Sequence, residues 1–305
     1  MKKLIFTIAL AVMTAFAASA QANLVQVNDY ESFNAVNISD NFIVKLNVAP
    51  KYSVKTIADE RISPYVVCYV KNGTLYVSVD RKSFTPEIKK QLKVKGAPTP
   101  LLEVEVYFPS IKSLELSDNA NLQICDIIRS ESFTLVVKDK AKVNKIHLEG
   151  DTAEINLSKN AYASVDASTS KTLYVKTENS SQAIVNHFGN AISMVSSGSS
   201  LQNVTSEVVT MNADVSGGST VEAKGSASKL QVKGSGTARL TAEEVTADNA
   251  TIEQTGSSKC HVNVTGNILV NLSGGCMLTF MGKPTIEVDR IVNSTLIKHD
   301  DPRRK

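Results

Sequence analysis

The sequence predicts an all-β fold: a single-stranded parallel β-helix with coils of about 20 residues, preceded by an irregular β region. Three observations predict it. Small, polar three-residue corners recur at a nearly constant spacing, short apolar-x-apolar strands flank them, and the composition favours strands. Aromatic residues make up 6% of the chain and Trp is absent, whereas Val, Ile, Leu, Thr and Ser dominate, as is typical of strand-rich proteins.

Nine of these corners lie between Ser117 and Leu278. Tight bends of stacked coils need Gly, Asn or Asp where φ is positive, and little bulk where neighbouring coils approach. An antiparallel barrel or sandwich would instead show hairpin turns about every 8–12 residues. The corners are Asp118-Asn119-Ala120, Asp139-Lys140-Ala141, Lys159-Asn160-Ala161, Asn179-Ser180-Ser181, Gly198-Ser199-Ser200, Gly217-Gly218-Ser219, Gly234-Ser235-Gly236, Gly256-Ser257-Ser258 and Gly274-Gly275-Cys276.

The segments beside the corners read as short strands with one buried face. Leu114-x-Leu116 precedes the first corner and Leu122-x-Ile124 follows it, and Val270-x-Leu272 and Leu278-x-Phe280 flank the last. Because side chains alternate along a strand, each triplet sends two apolar groups inward and one polar group outward. We therefore expect β-helical repeats over residues 111–297.

Residues 23–110 are predicted to form an irregular β region of the same domain that caps one end of the stack. Asn72-Gly73 between two apolar runs indicates a hairpin with a type I′ turn. The Lys-rich segment 84–100 is expected to be an exposed loop with a short helical turn at 86–90. At the other end, Ile286-x-Val288 through Ile297 is expected to finish the stack.

Residues 1–22 have the features of a secretory signal peptide. Lys2 and Lys3 precede an apolar run, and Ala18-Ser19-Ala20 or Ala20-Gln21-Ala22 offers a cleavage site. The apolar run is too short for a membrane anchor, and no later segment is long and apolar enough to cross a membrane as a helix. We expect export through the Sec pathway to the periplasm, the cell surface or the medium.

The charge argues against nucleic-acid binding, and the cysteine spacing indicates free thiols. Removing Lys2 and Lys3 lowers the formal charge from +3 to +1, which leaves no electrostatic footprint for nucleic acid. Residues 298–305 are expected to be a charged, solvated tail. The four cysteines, without CxxC spacing, are expected to be buried free thiols, although an exported compartment permits disulfides. They are Cys68, Cys125, Cys260 and Cys276.

The sequence resembles a bacterial family, the auto-transporter adhesin, head GIN domain family, in three stretches that follow one another in the same order. They are Phe33-Asn34-Ala35-Val36-Asn37-Ile38 with Phe42-x-Val44-x-Leu46, then Tyr52-Ser53-Val54 through Val104-x-Val106-Tyr107-Phe108-Pro109, and the corners, clearest at Ser216-Gly217-Gly218-Ser219 and Gly234-Ser235-Gly236.

The resemblance spans about 30 to 280. It implies a right-handed β-helical, exported protein typical of Bacteroidetes-like bacteria. Two departures matter. The early corners carry Lys, Asp and Ala, and the chain has no room for the many strands of a translocating β-barrel, so we do not expect a self-sufficient autotransporter. The resemblance supplies no catalytic residue.

No motif predicts a catalytic, cofactor-binding or metal-binding residue, and no cofactor is expected. The histidines lack HExxH or other ligand spacing and are expected at the surface; they are His147, His187, His261 and His299. Gly234-Ser235-Gly236 lacks the helix and the Lys-Ser/Thr pair of a phosphate loop, and no Gly-x-Ser-x-Gly elbow precedes a helix.

A β-helical polysaccharide lyase or glycosidase is the enzymatic alternative, because such enzymes need clustered carboxylates or Ca²⁺ ligands on successive coils. The acidic residues lie instead at different offsets from the corners, and Glu243-Glu244 with Asp248 is the densest group. A solvated surface explains them better. They are Asp139, Asp151, Asp166, Glu178, Asp214, Glu222, Glu243, Glu244 and Asp248.

The sequence signals for carbohydrate binding and for glycan attachment are weak. Tyr162 and Tyr174 on neighbouring coils are the only aromatic platform candidates in the solenoid, and core packing explains them equally well. Asp151-Thr152-Ala153 resembles the O-glycosylation acceptor of Bacteroidetes.

The sequence therefore favours a non-enzymatic, exported protein with an adhesin-like or cell-envelope interaction role. Its partner is unidentified, with a surface glycan or an envelope protein as the classes considered. A self-associating structural envelope protein, joined through an uncapped coil, is a further alternative.

Overall fold

The computed structural model describes residues 22–94 and 99–299, which form a β-solenoid with coils of about 19 residues. The predicted signal peptide, except for residue 22, and residues 300–305 of the predicted tail lie outside the described residues. In the first part the strands are β1 (Asn23–Tyr30), β2 (Ala35–Ile38), β3 (Ile43–Val48), β4 (Tyr52–Asp59), β5 (Val66–Lys71), β6 (Thr74–Val79) and β7 (Leu102–Phe108).

The repeats follow without a break in the chain. Their strands are β8 (Ser113–Leu116), β9 (Asn121–Cys125), β10 (Ile128–Arg129), β11 (Ser132–Val137), β12 (Lys142–Glu149), β13 (Thr152–Leu157), β14 (Tyr162–Asp166), β15 (Thr172–Thr177), β16 (Gln182–Ser196), β17 (Leu201–Val215), β18 (Thr220–Gly234), β19 (Arg239–Gln254), β20 (Lys259–Ser273), β21 (Met277–Gly282), β22 (Thr285–Val292) and β23 (Thr295–Lys298).

Each coil pairs in parallel with the coils before and after it. The row of Cα partners after the corners runs Gln182, Leu201, Thr220, Arg239, Lys259, Met277 and Thr295. From β16 to β20 one strand of 15 or 16 residues contains the post-corner segment of one coil and the pre-corner segment of the next. The predicted parallel β-helix is therefore confirmed.

The corners stack through their own backbone. The first corner residue has φ of 58° to 64° at Asp118, Asp139, Lys159 and Asn179, and 68° to 90° at the glycines that follow. In the solenoid middle, the amide of Gly218 donates to the carbonyl of Gly198 at 2.7 Å. The equivalent bond recurs at each corner from Asp118 to Gly236, so the left-handed residue of these corners presents its carbonyl to the next coil.

The structure corrects the list of corners at three places. The seventh corner lies two residues later, at Gly236-Thr237-Ala238, because Gly236 has φ of 70° and Thr237 N donates to Gly217 O at 2.8 Å. Two corners were missed, at Asp40 (φ 67°) and Asn293 (φ 50°). Regular coiling thus begins with β2 and β3, well before residue 111.

The core is one ladder of stacked residues. Apolar side chains of the triplets point inward and are buried along the whole solenoid. The third corner residue also points inward, and it is small: Ala120, Ala141, Ala161, Ser181, Ser200, Ser219, Ala238, Ser258 and Cys276 are all buried. The buried Ser219 hydroxyl donates to the Ser196 carbonyl of the preceding coil at 2.9 Å, as a buried polar group requires.

The first part of the chain covers one end of the stack, as predicted. β2 lies between β6 and β8, and β3 between β7 and β9. β5 and β4 then pair antiparallel with β6 and β7. The β5–β6 hairpin turns at Asn72-Gly73 with φ of 52° and 74°, so the type I′ prediction is confirmed.

The predicted helical turn is a two-turn helix, α1 (Pro86–Leu92). Thr85 Oγ1 caps it by accepting a hydrogen bond from Ile88 N at 3.3 Å, and Pro occupies the first position, where no backbone donor is required. The helix lies in the connection between β6 and β7.

The other end of the stack differs. β22 pairs only with β20 and β23 only with β21, so within the described part of the chain their outer edges pair with no strand. Every residue of β22 is exposed. The segment 286–297 therefore adds a last coil without closing the end.

We predict that Gly217→Ala destabilises the protein by about 1–2 kcal/mol, because an L-residue with φ of 68° is strained and its Cβ would meet Gly198 O at 2.9 Å. The matched control is Gly218→Ala in the same corner, where the nearest atom lies at an ordinary 3.5 Å. Urea unfolding followed by circular dichroism measures both. Equal stability of the two variants would contradict the corner geometry.

Candidate functional site

An open depression of about 380 Å³ lies on the outer face of the pre-corner strands β13, β15 and β16. We call it the Tyr174 depression. Six outward side chains form it in two rows over three successive coils: Glu154, Tyr174 and Ser193 in the first row, and Asn156, Lys176 and Val195 in the second.

The coil register creates these rows. Glu154 pairs with Tyr174, which pairs with Ser193, so three residues about 20 positions apart in sequence become neighbours on one face. Parallel strands lie about 4.8 Å apart, which places one side chain from each coil within reach of a single small ligand. Buried Ile155 and Val175 hold the strands from the inside.

The depression combines an aromatic surface with polar groups. Tyr174 is 49% exposed and its hydroxyl has no hydrogen-bond partner among the described residues. Asn156 Nδ2 donates to Glu154 Oε1 at 2.8 Å, and Lys176 Nζ lies 2.8 Å from Glu178 Oε1. These contacts orient the amide and the ammonium group beside the ring while leaving each with further hydrogen-bonding capacity.

Tyr162, the other aromatic candidate, does not join this site. It begins β14, after the corner, where it pairs with Lys142 and Gln182. Tyr174 lies before the next corner, on a different strand row. The two rings therefore do not form a shared platform.

The surface prediction is wrong for one of the four histidines. His187 is fully buried, and its Nε2 is 2.9 Å from the Ser170 carbonyl. Since that oxygen can only accept, Nε2 carries the proton. His187 Nδ1 and the Oγ of its register neighbour Ser206 have no partner among the described residues. His299 is exposed and His261 half-buried.

His147 has carboxylates on both sides. Its Nδ1 lies 3.5 Å from Asp166 Oδ2 on the next coil, and its Nε2 lies 3.7 Å from Glu149 Oε1. Arg129 Nε approaches the same Glu149 carboxylate at 2.6 Å. Spacing along the sequence did not indicate this group, because Asp166 reaches His147 only through the register of β12 and β14.

Several of the acidic residues considered for the enzymatic alternative form ion pairs with lysines of a neighbouring coil. Asp151 pairs with Lys171 at 2.7 Å and Glu244 with Lys224 at 3.1 Å, and Asp139 pairs with Lys159 across one corner. Asp214, Glu222, Glu243 and Asp248 are distributed over β17, β18 and β19. Over residues 22–94 and 99–299, no three His, Cys, Asp or Glu side chains are placed to hold a metal ion.

A buried polar stack near the corners was also missed by sequence reasoning. Gln202 Nε2 donates to Thr177 Oγ1 at 2.9 Å and to Val195 O at 2.8 Å. Ser196 Oγ and Ser200 Oγ lie 2.8 Å apart. These hydrogen bonds link successive coils inside the core, while Gln202 Oε1 has no partner among the described residues.

The remaining motifs lie as follows. Thr152 of Asp151-Thr152-Ala153 is half-buried at the start of β13, and its glycosylation stays a prediction. The four cysteines are free thiols, with Cys260 and Cys276 buried and Cys68 and Cys125 half-buried. In the described part of the chain, no helix has the length and apolar character needed to span a bilayer.

The fold and the outer rows define a β-solenoid protein with a capped first end and an open aromatic depression on one face. The family model described as "Putative auto-transporter adhesin, head GIN domain" matches residues 32–188 and 173–284. The chain belongs to this family, as its corners and opening strands predicted.

Solved structures with similarity to the chain include two described as a "putative adhesin". That from Parabacteroides merdae is 14% identical, with 91% of this chain and 96% of that chain covered and a TM-score of 0.46. That from Parabacteroides distasonis is 16% identical, with 91% and 97% covered and a TM-score of 0.48.

A third structure, described as a "putative lipid binding protein" from Parabacteroides distasonis, is 14% identical, with 91% and 96% covered and a TM-score of 0.40. No curated protein matches the chain. These likenesses assign no ligand to this chain.

We predict that buried His187 makes the protein less stable in mild acid. Burial lowers the pKa of His187, while the hydrogen bond to the Ser170 carbonyl acts in the opposite direction. The unfolded chain, with a pKa of about 6.5, therefore binds the proton first, and stability falls as the pH drops below that value.

In His187→Asn, the free energy of unfolding should vary less between pH 7 and pH 5 than in the wild type, although its absolute value is lower. Denaturant titrations across this range measure the slope. An unchanged slope in the variant would show that His187 does not contribute.

Proposed function

We propose that this protein is an exported, non-enzymatic binding protein with an adhesin-like role, and that it contacts a surface glycan through the Tyr174 depression. The half-exposed Tyr174 ring among outward polar side chains is the observation that carries the proposal. An aromatic ring offers an apolar face to the CH groups of a sugar, and such rings are effective in binding because they lose little conformational entropy.

The polar neighbours match the other half of a sugar's chemistry. Glu154 accepts hydrogen bonds, Lys176 donates them, and Asn156 and Ser193 do both. Since a sugar ring presents hydroxyl groups around its edge, this set can bind it in a fixed orientation. The depression is open, so it suits a sugar residue within a glycan chain or at its end.

A non-enzymatic role is supported by the way the carboxylates are used. Glycoside hydrolysis requires two carboxyl groups flanking one bond. In the depression Glu154 is the only carboxylate of the two rows, and its Oε1 accepts from Asn156. Asp151 and Glu244 lie in ion pairs with lysines.

Export is supported by the leader-like residues 1–22 and by the family to which the chain belongs. Both are compatible with the periplasm, the cell surface or the medium. The adhesin-like role is supported by the same family description and by the outward site.

The decisive test is a glycan array probed with residues 23–305, followed by titration of the best ligand. We expect Tyr174→Ala to weaken binding about tenfold or more, as loss of a central aromatic contact does. Tyr162→Ala is the matched control, since it removes the same side chain from a neighbouring coil outside the depression, and it should bind as the wild type does.

Two results would overturn the proposal. One is a wild-type protein that binds no glycan on the array, and the other is binding that survives Tyr174→Ala with unchanged affinity. Incubation of the bound glycan with the protein tests the enzymatic alternative separately, because shortened or unsaturated products would show a lyase or glycosidase.

A further inference from the structure

We propose that the open end of the solenoid is a self-complementary interface, through which two copies of this chain join end to end by antiparallel pairing of β22 (Thr285–Val292). This inference is independent of the glycan proposal, because β22 lies at the last coil and the Tyr174 depression lies near the middle of the stack.

The first support is the asymmetry between the two ends. At the first end, antiparallel β4 and β5 cover the edges of β7 and β6. At the last end, β22 has a single described partner, β20, on one side. Its other edge presents a row of backbone donors and acceptors, which ordinarily pairs or is blocked.

The second support is an apolar row that continues the core beyond the last coil. Ile286, Val288 and Ile291 stack in register on buried Ile268, Val270 and Leu272. They remain 38%, 50% and 38% exposed, because no further coil of residues 22–94 and 99–299 covers them. A second layer on this edge would bury them as every other coil buries its predecessor.

The third support is the order of side chains along β22. A two-fold axis at the middle of the strand sets Val288 opposite the bulged Asp289 of the second copy. It also sets Ile286 opposite Ile291 of the second copy. Those two positions point inward. The same register sets Glu287 opposite Arg290 of the second copy, on the outward side, and the symmetry makes each contact twice.

This pattern distinguishes β22 from a protected edge. Charged residues on an edge strand usually prevent pairing, but opposite charges directly across an antiparallel pair stabilise it. Asp289 is the bulged residue of the strand, and Asn271 Nδ2 donates to its carboxylate at 3.0 Å. This carboxylate is therefore bonded within its own chain. A two-fold contact of one patch with itself is the commonest way that proteins dimerise.

Residues 300–305 are poorly suited to cover this edge. Residues 300–305 read Asp-Asp-Pro-Arg-Arg-Lys. None of these side chains is apolar enough to replace a coil over Ile286, Val288 and Ile291, and Pro cannot donate to a strand ladder. A second copy supplies both the apolar row and the backbone partners.

The test is sedimentation of residues 23–305 over a range of concentrations, with charge-reversal variants. The wild type should dimerise. Glu287→Arg and Arg290→Glu each place like charges opposite one another twice, and each should raise the dimer dissociation constant about tenfold or more, since about 1.4 kcal/mol suffices. Arg239→Glu, a charge reversal on an exposed mid-solenoid residue, should leave the dimer intact.

The mixture of the two variants gives the sharpest result. Glu287→Arg and Arg290→Glu chains mixed in equal amounts should restore a dimer. In the mixed dimer, one chain has Arg at both positions and the other has Glu at both, so each contact joins opposite charges. This recovery cannot arise from a variant that has lost its fold.

Three results would overturn the proposal. They are a wild type that stays monomeric at every concentration, a dimer insensitive to both charge reversals, and a monomer that dimerises only after deletion of residues 300–305. The last would assign the edge to the chain's own tail.

Discussion

The backbone register between successive corners is the constraint on which this structure depends. Each corner from Asp118 to Gly236 holds one residue at positive φ, and its carbonyl accepts an amide of the following corner, as Gly198 O accepts from Gly218 N at 2.7 Å. Because the corners stack in this way, the triplets on both sides fall into rows, with apolar rows inside and polar rows outside. The core, the Tyr174 depression and the open final edge all follow from one repeated alignment.

Polar groups enter the core beside the small corner residues, and many of them are hydrogen-bonded there. Ser219 replaces Ala at the inward corner position, and its hydroxyl bonds a carbonyl of the preceding coil. Gln202 and Thr177 bond each other within the same region. Several buried polar atoms have no partner among the described residues, including Gln202 Oε1, Ser206 Oγ and His187 Nδ1. His187 is hydrogen-bonded through Nε2 alone. Since burial lowers its pKa, it remains neutral in the folded protein near neutral pH.

Much of the fold could be predicted from the sequence, since a solenoid repeats local chemistry at a fixed spacing. The missed corners show the limit. After Asp40 the inward position holds Phe42 instead of a small residue. After Asn293 the inward position is taken at once by Ser294, which the register places opposite Cys276, one residue earlier than in the three-residue corners. The seventh corner was placed two residues early because Gly234 and Gly236 both fit. The site was harder to predict. Tyr174 was a candidate, but its neighbours Glu154 and Ser193 come from other coils, and their alignment depends on a register that spacing alone defines only to within a residue or two.

The seventh corner permits a direct measurement of this register. The structure pairs Asp214 with Lys233 on the exposed face, whereas a corner at 234–236 would shift the pairing by two residues and bring Gln231 opposite Asp214. Disulfides form only when the Cα atoms lie within about 7 Å. Oxidation of the Asp214→Cys, Lys233→Cys double variant, analysed by peptide mass spectrometry, should give the cross-link, and Asp214→Cys, Gln231→Cys should not. A cross-link in the second variant and none in the first would contradict the stacking on which the account depends.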